Sequence, residues 1–185
     1  MTNNPPQTSG QVIRCAEHAW RRLRLTPPCD LSEVCDFLRI GVGRECFGND
    51  LTGIFARADD STETIVLNSG LLYVDMRWTW AHEIGHSIIT VEPVSVDHRP
   101  TWDEEQLCNE FARHLLVPSE VLRAECIRLG HPKQNRIGTL AELFGVTRDV
   151  VRDRLRDIGM HRVTAPPPAR REALRDFKYG YVGGK

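Results

Sequence analysis

The chain has 185 residues, 41% of them hydrophobic, and a formal net charge of −1. That length fits one main domain with a small appendage and allows a real core, while the near-zero charge excludes a polyanion partner held by bulk electrostatics. No apolar run reaches membrane length and the N-terminus carries no signal-peptide pattern, so the expectation is a cytoplasmic protein with no membrane partner.

After a polar start, MTNNPPQTSG, residues 10–24 place Val12, Ala16, Ala19, Trp20 and Leu23 in phase for a helix, and Pro27-Pro28 breaks it. Asp30 then caps a short helix with Leu31, Val34, Phe37 and Leu38 on its apolar side. From Ile40 to Leu67 the texture changes to strands. Residues 51–56 and 64–67 flank the polar turn 59–62 and read as a hairpin. Either 51–56 or 64–68 is expected at a sheet edge, where an extended peptide adds as a further strand. Asn68-Ser69-Gly70 ends the sheet, and Asp75 is placed as the cap of the next helix.

That next helix carries the densest chemistry in the chain. Residues 77–86 read RWTWAHEIGH and contain His82-Glu83-Ile84-Gly85-His86, the H-E-x-x-H pattern of zinc peptidases. Each helical residue advances about 100°, so His82 and His86 share a face and both imidazoles can reach one ion. Glu83 lies beside them, in reach of a water at that ion. The plain alternative is a polar face with two solvated histidines. Trp78, Ala81, Gly85 and Ile88, widened by Trp80, Ile84 and Ile89, argue against it, because they make the helix largely buried. Buried polar groups without partners are costly, and a metal removes that cost. Gly85 in a helix interior costs about 1 kcal/mol relative to Ala, which points to another backbone close by, such as a sheet.

A catalytic zinc takes three protein ligands and leaves a position open. The metzincin continuation H-x-x-G-x-x-H fails, because Ile89 stands at the glycine and Glu92 at the histidine. Glu92 and His98 remain candidates in the following loop. A stronger one lies on the next helix, TWDEEQLCNEFARHLLVP (101–118). Thr101 and Glu104 fit a capping box, which gives Glu104 a structural task. Leu107, Cys108, Phe111, Ala112 and Leu115 form its buried stripe, with Glu105 and Asn109 along the edge. From spacing alone Glu105 is either the third ligand or a solvated acid in the first turn, with Glu104 still open. Asn109 is suited to hydrogen-bond a ligand histidine and fix its tautomer.

The two blocks together, RWTWAHEIGH and Glu105-x-x-x-Asn109-x-Phe111-Ala112-x-x-Leu115-Leu116-x-Pro118, resemble the ImmA/IrrE family of metallopeptidases. The resemblance implies Glu105 as third ligand, carried on a second helix as in gluzincins. It also implies one zinc ion per chain and, as substrate, a helix-turn-helix repressor of the XRE type. Cleavage of that repressor would lift repression of stress or mobile-element genes. Either Tyr73 or His114 could supply a second donor to the oxyanion.

Beyond Pro118, residues 119–129 form a third amphipathic helix ended by Gly130. In 137–158, Leu140, Ala141 and Phe144 precede Gly145, and Thr147 caps a helix with Val150, Val151 and Leu155 apolar, a helix-turn-helix pattern. Arg148, Arg152, Arg154 and Arg156 are balanced by Asp149, Asp153 and Asp157, a poor electrostatic footprint for DNA. Packing or partner docking is the reading for this unit. Six cysteines, at 15, 29, 35, 46, 108 and 126, form no C-x-x-C pair and read as small buried hydrophobes.

The combined expectation is an α+β zincin-like domain over 10–130 with a small antiparallel or mixed sheet, a helix-turn-helix-like extension over 131–161 and a flexible tail over 162–185. Glu83 is its general base, His82, His86 and Glu105 are its zinc ligands, and Asn109 supports them. The competing expectation is a non-catalytic zinc-containing regulator that acts by binding DNA or a repressor.

Overall fold

The computed structural model describes residues 7–48, 51–58, 60–89, 100–130 and 136–161. Glu92 and His98, the residue at 59 in the hairpin turn, and the tail at 162–185 lie outside them. The described chain is α+β. Helices α1 (Ser9–Leu23) and α2 (Leu31–Leu38) lead into strands β1 (Ile40–Glu45), β2 (Gly53–Arg57) and β3 (Glu63–Asn68). Helices α3 (Tyr73–Ile89), α4 (Trp102–Leu116), α5 (Ser119–Leu129), α6 (Arg136–Phe144) and α7 (Arg148–Asp157) follow.

The expected caps form. Asp30 accepts the Ser32 N–H at 2.8 Å. Thr101 and Glu104 close a capping box, with the Thr101 N–H donating to Glu104 Oε2 at 2.6 Å. Thr147 accepts the Val150 N–H, and Gly130 ends α5 at φ +70°. α3 begins at Tyr73, so Asp75 sits inside its first turn and is not its cap. Phe37, expected on the apolar side of α2, is 43% exposed.

The sheet is mixed, in the order β1-β3-β2. β2 and β3 form the expected hairpin, with Gly53 opposite Leu67 and Phe55 opposite Ile65. β1 pairs in parallel with the other side of β3. Strand β3 is therefore central, which removes 64–68 as the sheet edge and leaves β2 there. Ile65, Leu67 and Phe55 turn inward, and the sheet packs on α3 through β2 and β3. On its other side α3 packs along α4, and α1 covers α4, where Trp20 Nε1 donates to Leu115 O at 2.6 Å.

The two C-terminal helices are fixed to this core by buried arginines. Arg77 of α3 donates to Gly145 O in the α6–α7 turn at 3.2 Å and to Cys29 O at 3.0 Å. Arg154 of α7 is fully buried and donates to Val117 O at 2.9 Å, Ser119 Oγ at 2.8 Å and Asp157 Oδ2 at 2.8 Å. Its guanidinium also lies 3.1 Å from His114 Nε2. Carbonyl oxygens accept most of these hydrogen bonds, so each arginine closes a helix end or turn that would otherwise leave acceptors unpaired.

His114 titrates against this arrangement. Burial, and then the Arg154 guanidinium, hold its imidazole down to about 4 from an ordinary 6.5, despite Glu110 Oε1 at 3.3 Å. Above the ordinary value the residue is neutral both folded and unfolded. As pH falls, the unfolded chain takes up the proton first. Its contribution to stability is therefore full above about 6.5 and is lost as pH drops towards 4. Urea unfolding of wild type and His114→Gln from about pH 7 to about pH 4.5 measures it. The stability advantage of wild type should shrink steadily on acidification, and a constant difference would refute the assignment.

Candidate metal centre

α3 holds His82, Glu83 and His86, all under 9% exposed. α4 lies against them because Gly85 has no side chain. A Cβ at residue 85 would stand 3.0 Å from Cys108 Cα and 3.2 Å from Cys108 Cβ. The backbone that Gly85 admits is thus that of α4, not a strand of the sheet. This approach brings Glu105 and Asn109, one turn apart on α4, opposite the two histidines.

The donor atoms converge. His82 Nε2 and His86 Nε2 are 3.1 Å apart, and Glu105 Oε2 and Oε1 lie 3.2 and 3.5 Å from them. Tetrahedral bonds of about 2.0–2.1 Å to zinc hold donor atoms about 3.3 Å apart, so these residues fit such an ion. His82 Nδ1 faces Asn109 Oδ1 at 3.0 Å. An amide oxygen only accepts, so Nδ1 donates to it, which orients the ring with Nε2 turned to the centre. Glu104 stays in its capping box.

The electrostatics describe a pocket built for a cation. Hydrogen bonds from His82 and His86 hold the Glu105 carboxylate well below the usual carboxylate range. Burial opposes charge on His82, but the hydrogen bond to Glu105 and the charges of Glu83 and Glu105 outweigh it and leave the imidazole above its ordinary value. Burial pushes the Glu83 carboxyl up, against the pull of His86 and His82.

Glu83 is also tied to the sheet edge. Thr52 O accepts the Asn68 N–H, and the Ala58 N–H donates to Thr62 O. Bonded pairs alternate along an antiparallel ladder, so Gly53, Phe55 and Arg57 turn their backbone groups to the open side of β2. The Phe55 N–H is given to Glu83. Gly53 is packed just as tightly, since a Cβ there would lie 2.6 Å from Thr79 Cγ2 and 3.4 Å from Glu83 Oε1.

Neither expected oxyanion donor reaches this centre. Tyr73 lies about 14 Å up the axis of α3 from His82, at 1.5 Å per residue, and stacks under Arg77. His114 is nine residues past Glu105, half a turn round α4, and is engaged with Arg154. Sequence reasoning passed over Gly53, Thr79, Arg77 and the approach of Cys108. The glycine in Leu51-Thr-Gly53-Ile54 was the available signal for the first of these.

Residues 47–156 match a peptidase family described as the IrrE N-terminal-like domain. Among solved structures, a Mycobacterium tuberculosis transcriptional regulator has the same fold, with a TM-score of 0.53 and 21% identity. The match covers 79% of this chain and 46% of that one, so this chain spans about half its length. No curated protein matches the sequence.

The tight packing of Gly53 is open to test. Gly53→Ala should lower stability by about 1–3 kcal/mol in urea unfolding, and Thr79→Ser, which removes Cγ2, should restore most of the loss in the double variant. Wild-type stability in Gly53→Ala would show that β2 does not press on α3.

Proposed function

We propose that this chain, which belongs to the peptidase family of IrrE N-terminal-like domains, is a zinc endopeptidase. His82, His86 and Glu105 hold one zinc per chain, Asn109 orients His82, and Glu83 is the general base. The observation that carries this reading is the convergence of two imidazole nitrogens and one carboxylate at 3.1 to 3.5 Å, beside a buried glutamate that ligates nothing. A structural zinc needs no such neighbour.

Zinc, when bound, supplies a Lewis acid that polarises the scissile carbonyl and brings the pKa of a water towards about 7. The remaining chemistry belongs to the side chains. Glu83 takes the proton of the attacking water and hands it to the departing amine. Its hydrogen bond from the Phe55 N–H fixes the carboxylate at the level of β2, so the proton acceptor and the strand that would hold the substrate move as one body. Among the described residues no strand pairs with the backbone groups of Gly53 or with the Phe55 carbonyl on the outer side of β2, which leaves room for an extended peptide to pair there. A substrate with an unfolded or unfolding segment is therefore favoured over a rigid surface.

For the substrate we carry over the resemblance to the ImmA/IrrE family and name an XRE-type helix-turn-helix repressor, cut to release stress or mobile-element genes. The similarity to a transcriptional regulator is one of fold. No helix among the described residues is long and apolar enough to cross a membrane, which is compatible with a cytoplasmic site of action. The rival reading, direct binding of DNA through α7, meets a helix in which three of the four arginines are paired with aspartates of the same helix. Arg152 bonds Asp149, Arg156 bonds Asp153, and Arg154 is buried.

Two experiments test the roles. Glu83→Gln should keep wild-type zinc content by elemental analysis while cleavage of the repressor falls by about 10²–10⁴-fold. Cleavage at the wild-type rate would remove Glu83 from the chemistry. Glu105→Ala should weaken zinc binding strongly and Glu104→Ala hardly at all, measured by competition with a chromophoric chelator. The opposite order would give the ligand role to Glu104.

A further inference from the structure

The metal pocket contains a fourth donor that the hydrolytic reading does not use. Cys108 Sγ, one ring nitrogen of His82 and one of His86 all lie within 4.8 Å of one another. The residue is fully buried. Among the described residues its thiol has no hydrogen-bond partner. It stands one turn beyond Glu105 on α4, and the contact of Gly85 with its Cα and Cβ holds it against the H-E-x-x-H turn of α3. This is more than a buried cysteine in a core, because nitrogens of both motif histidines group with its sulfur.

Resting on the zinc reading above, we propose that Cys108 is a fourth protein ligand and that the centre has a closed form held by His82, His86, Glu105 and Cys108. In that form the thiolate takes the position the attacking water needs, so the enzyme rests inactive until the sulfur is withdrawn. The geometry is within reach. Zinc–sulfur bonds of about 2.3 Å set sulfur and nitrogen donors about 3.6 Å apart, and the three donor atoms already lie within 4.8 Å of one another. Ligation forms a metal–sulfur bond, breaks the S–H bond and releases its proton to solvent. It needs no oxidant or other co-reactant. Four protein donors are the pattern of closed zinc sites, and three with an open position that of catalytic ones. Withdrawal of the Cys108 sulfur alone would therefore switch one into the other.

Cobalt(II) reports the ligand set directly. The full chain, freed of zinc and loaded with one equivalent of cobalt(II), should show an intense near-ultraviolet sulfur-to-cobalt charge-transfer band along with the visible bands of a tetrahedral ion. Cys108→Ser, which keeps the side-chain volume, should lose the near-ultraviolet band and retain the visible ones. A visible spectrum without the charge-transfer band in wild type would overturn the proposal and leave the three-ligand site standing. Persistence of the band in Cys108→Ser would assign it to another cysteine and overturn it equally. If wild type held no cobalt, or held it as well after His82→Ala, the zinc reading would fall and this proposal with it.

Discussion

The missing side chain at residue 85 sets the distance between the two helices that make the centre. With Cys108 Cα only 3.0 Å from where a Cβ would be, α3 and α4 approach at backbone contact along the H-E-x-x-H turn. Glycine costs about 1 kcal/mol in a helix interior, so α3 is weakened where it carries its chemistry. The approach puts the Glu105 carboxylate within 3.5 Å of both imidazole nitrogens and Asn109 at 3.0 Å from the far side of His82. A methyl group at residue 85 would spread the helices by tenths of an ångström, a large error for donors that must meet one ion.

That proximity creates the electrostatic problem the pocket has to solve. Two basic nitrogens and two carboxylates share a space from which water is largely excluded, and unpaired buried charge costs several kcal/mol per ion even after relaxation. A cation bound among these groups would offset that cost. Glu105, the most exposed member at 30%, is the one that stays ionised most firmly, and Glu83, the most desolvated carboxyl, is pushed the other way. Two carboxylates with diverging proton affinities are the arrangement expected where one binds a cation and the other moves protons.

Most of this was legible in the sequence, because local rules govern it. The caps at Asp30, Thr101 and Thr147, the helical phase of 77–89 and the four-residue spacings each need only a short window and emerged, whereas Asp75 lies inside the first turn of α3 and does not cap it. The hairpin was legible for the same reason. The parallel pairing of β1 with β3 was not, since it joins residues about twenty positions apart across the β2 hairpin and no local pattern encodes it. Gly85 announced a close neighbour but could not name it, and a helix stood where a sheet seemed natural. Arg77 and Arg154 were unreadable for a different reason. Periodicity assigns arginine to solvent, whereas here each is drawn inward by carbonyl oxygens that only the tertiary fold brings together.

Those two arginines decide how the C-terminal helices should be understood. In a free-standing helix-turn-helix unit the second helix presents its basic face to a phosphate backbone. In α7 the central arginine points the opposite way, into Val117 O, Ser119 and the ring of His114 at the end of α4. Arg77 meanwhile joins the α6–α7 turn to the helix that bears the histidines, and a Cβ at Gly145 would fall 2.9 Å from its Nε. Pulling α7 away to meet a large ligand would strand a guanidinium and several carbonyls in the core, at a cost of several kcal/mol. The helical pair therefore acts as a brace on the far ends of α3 and α4, whose spacing the metal centre depends on.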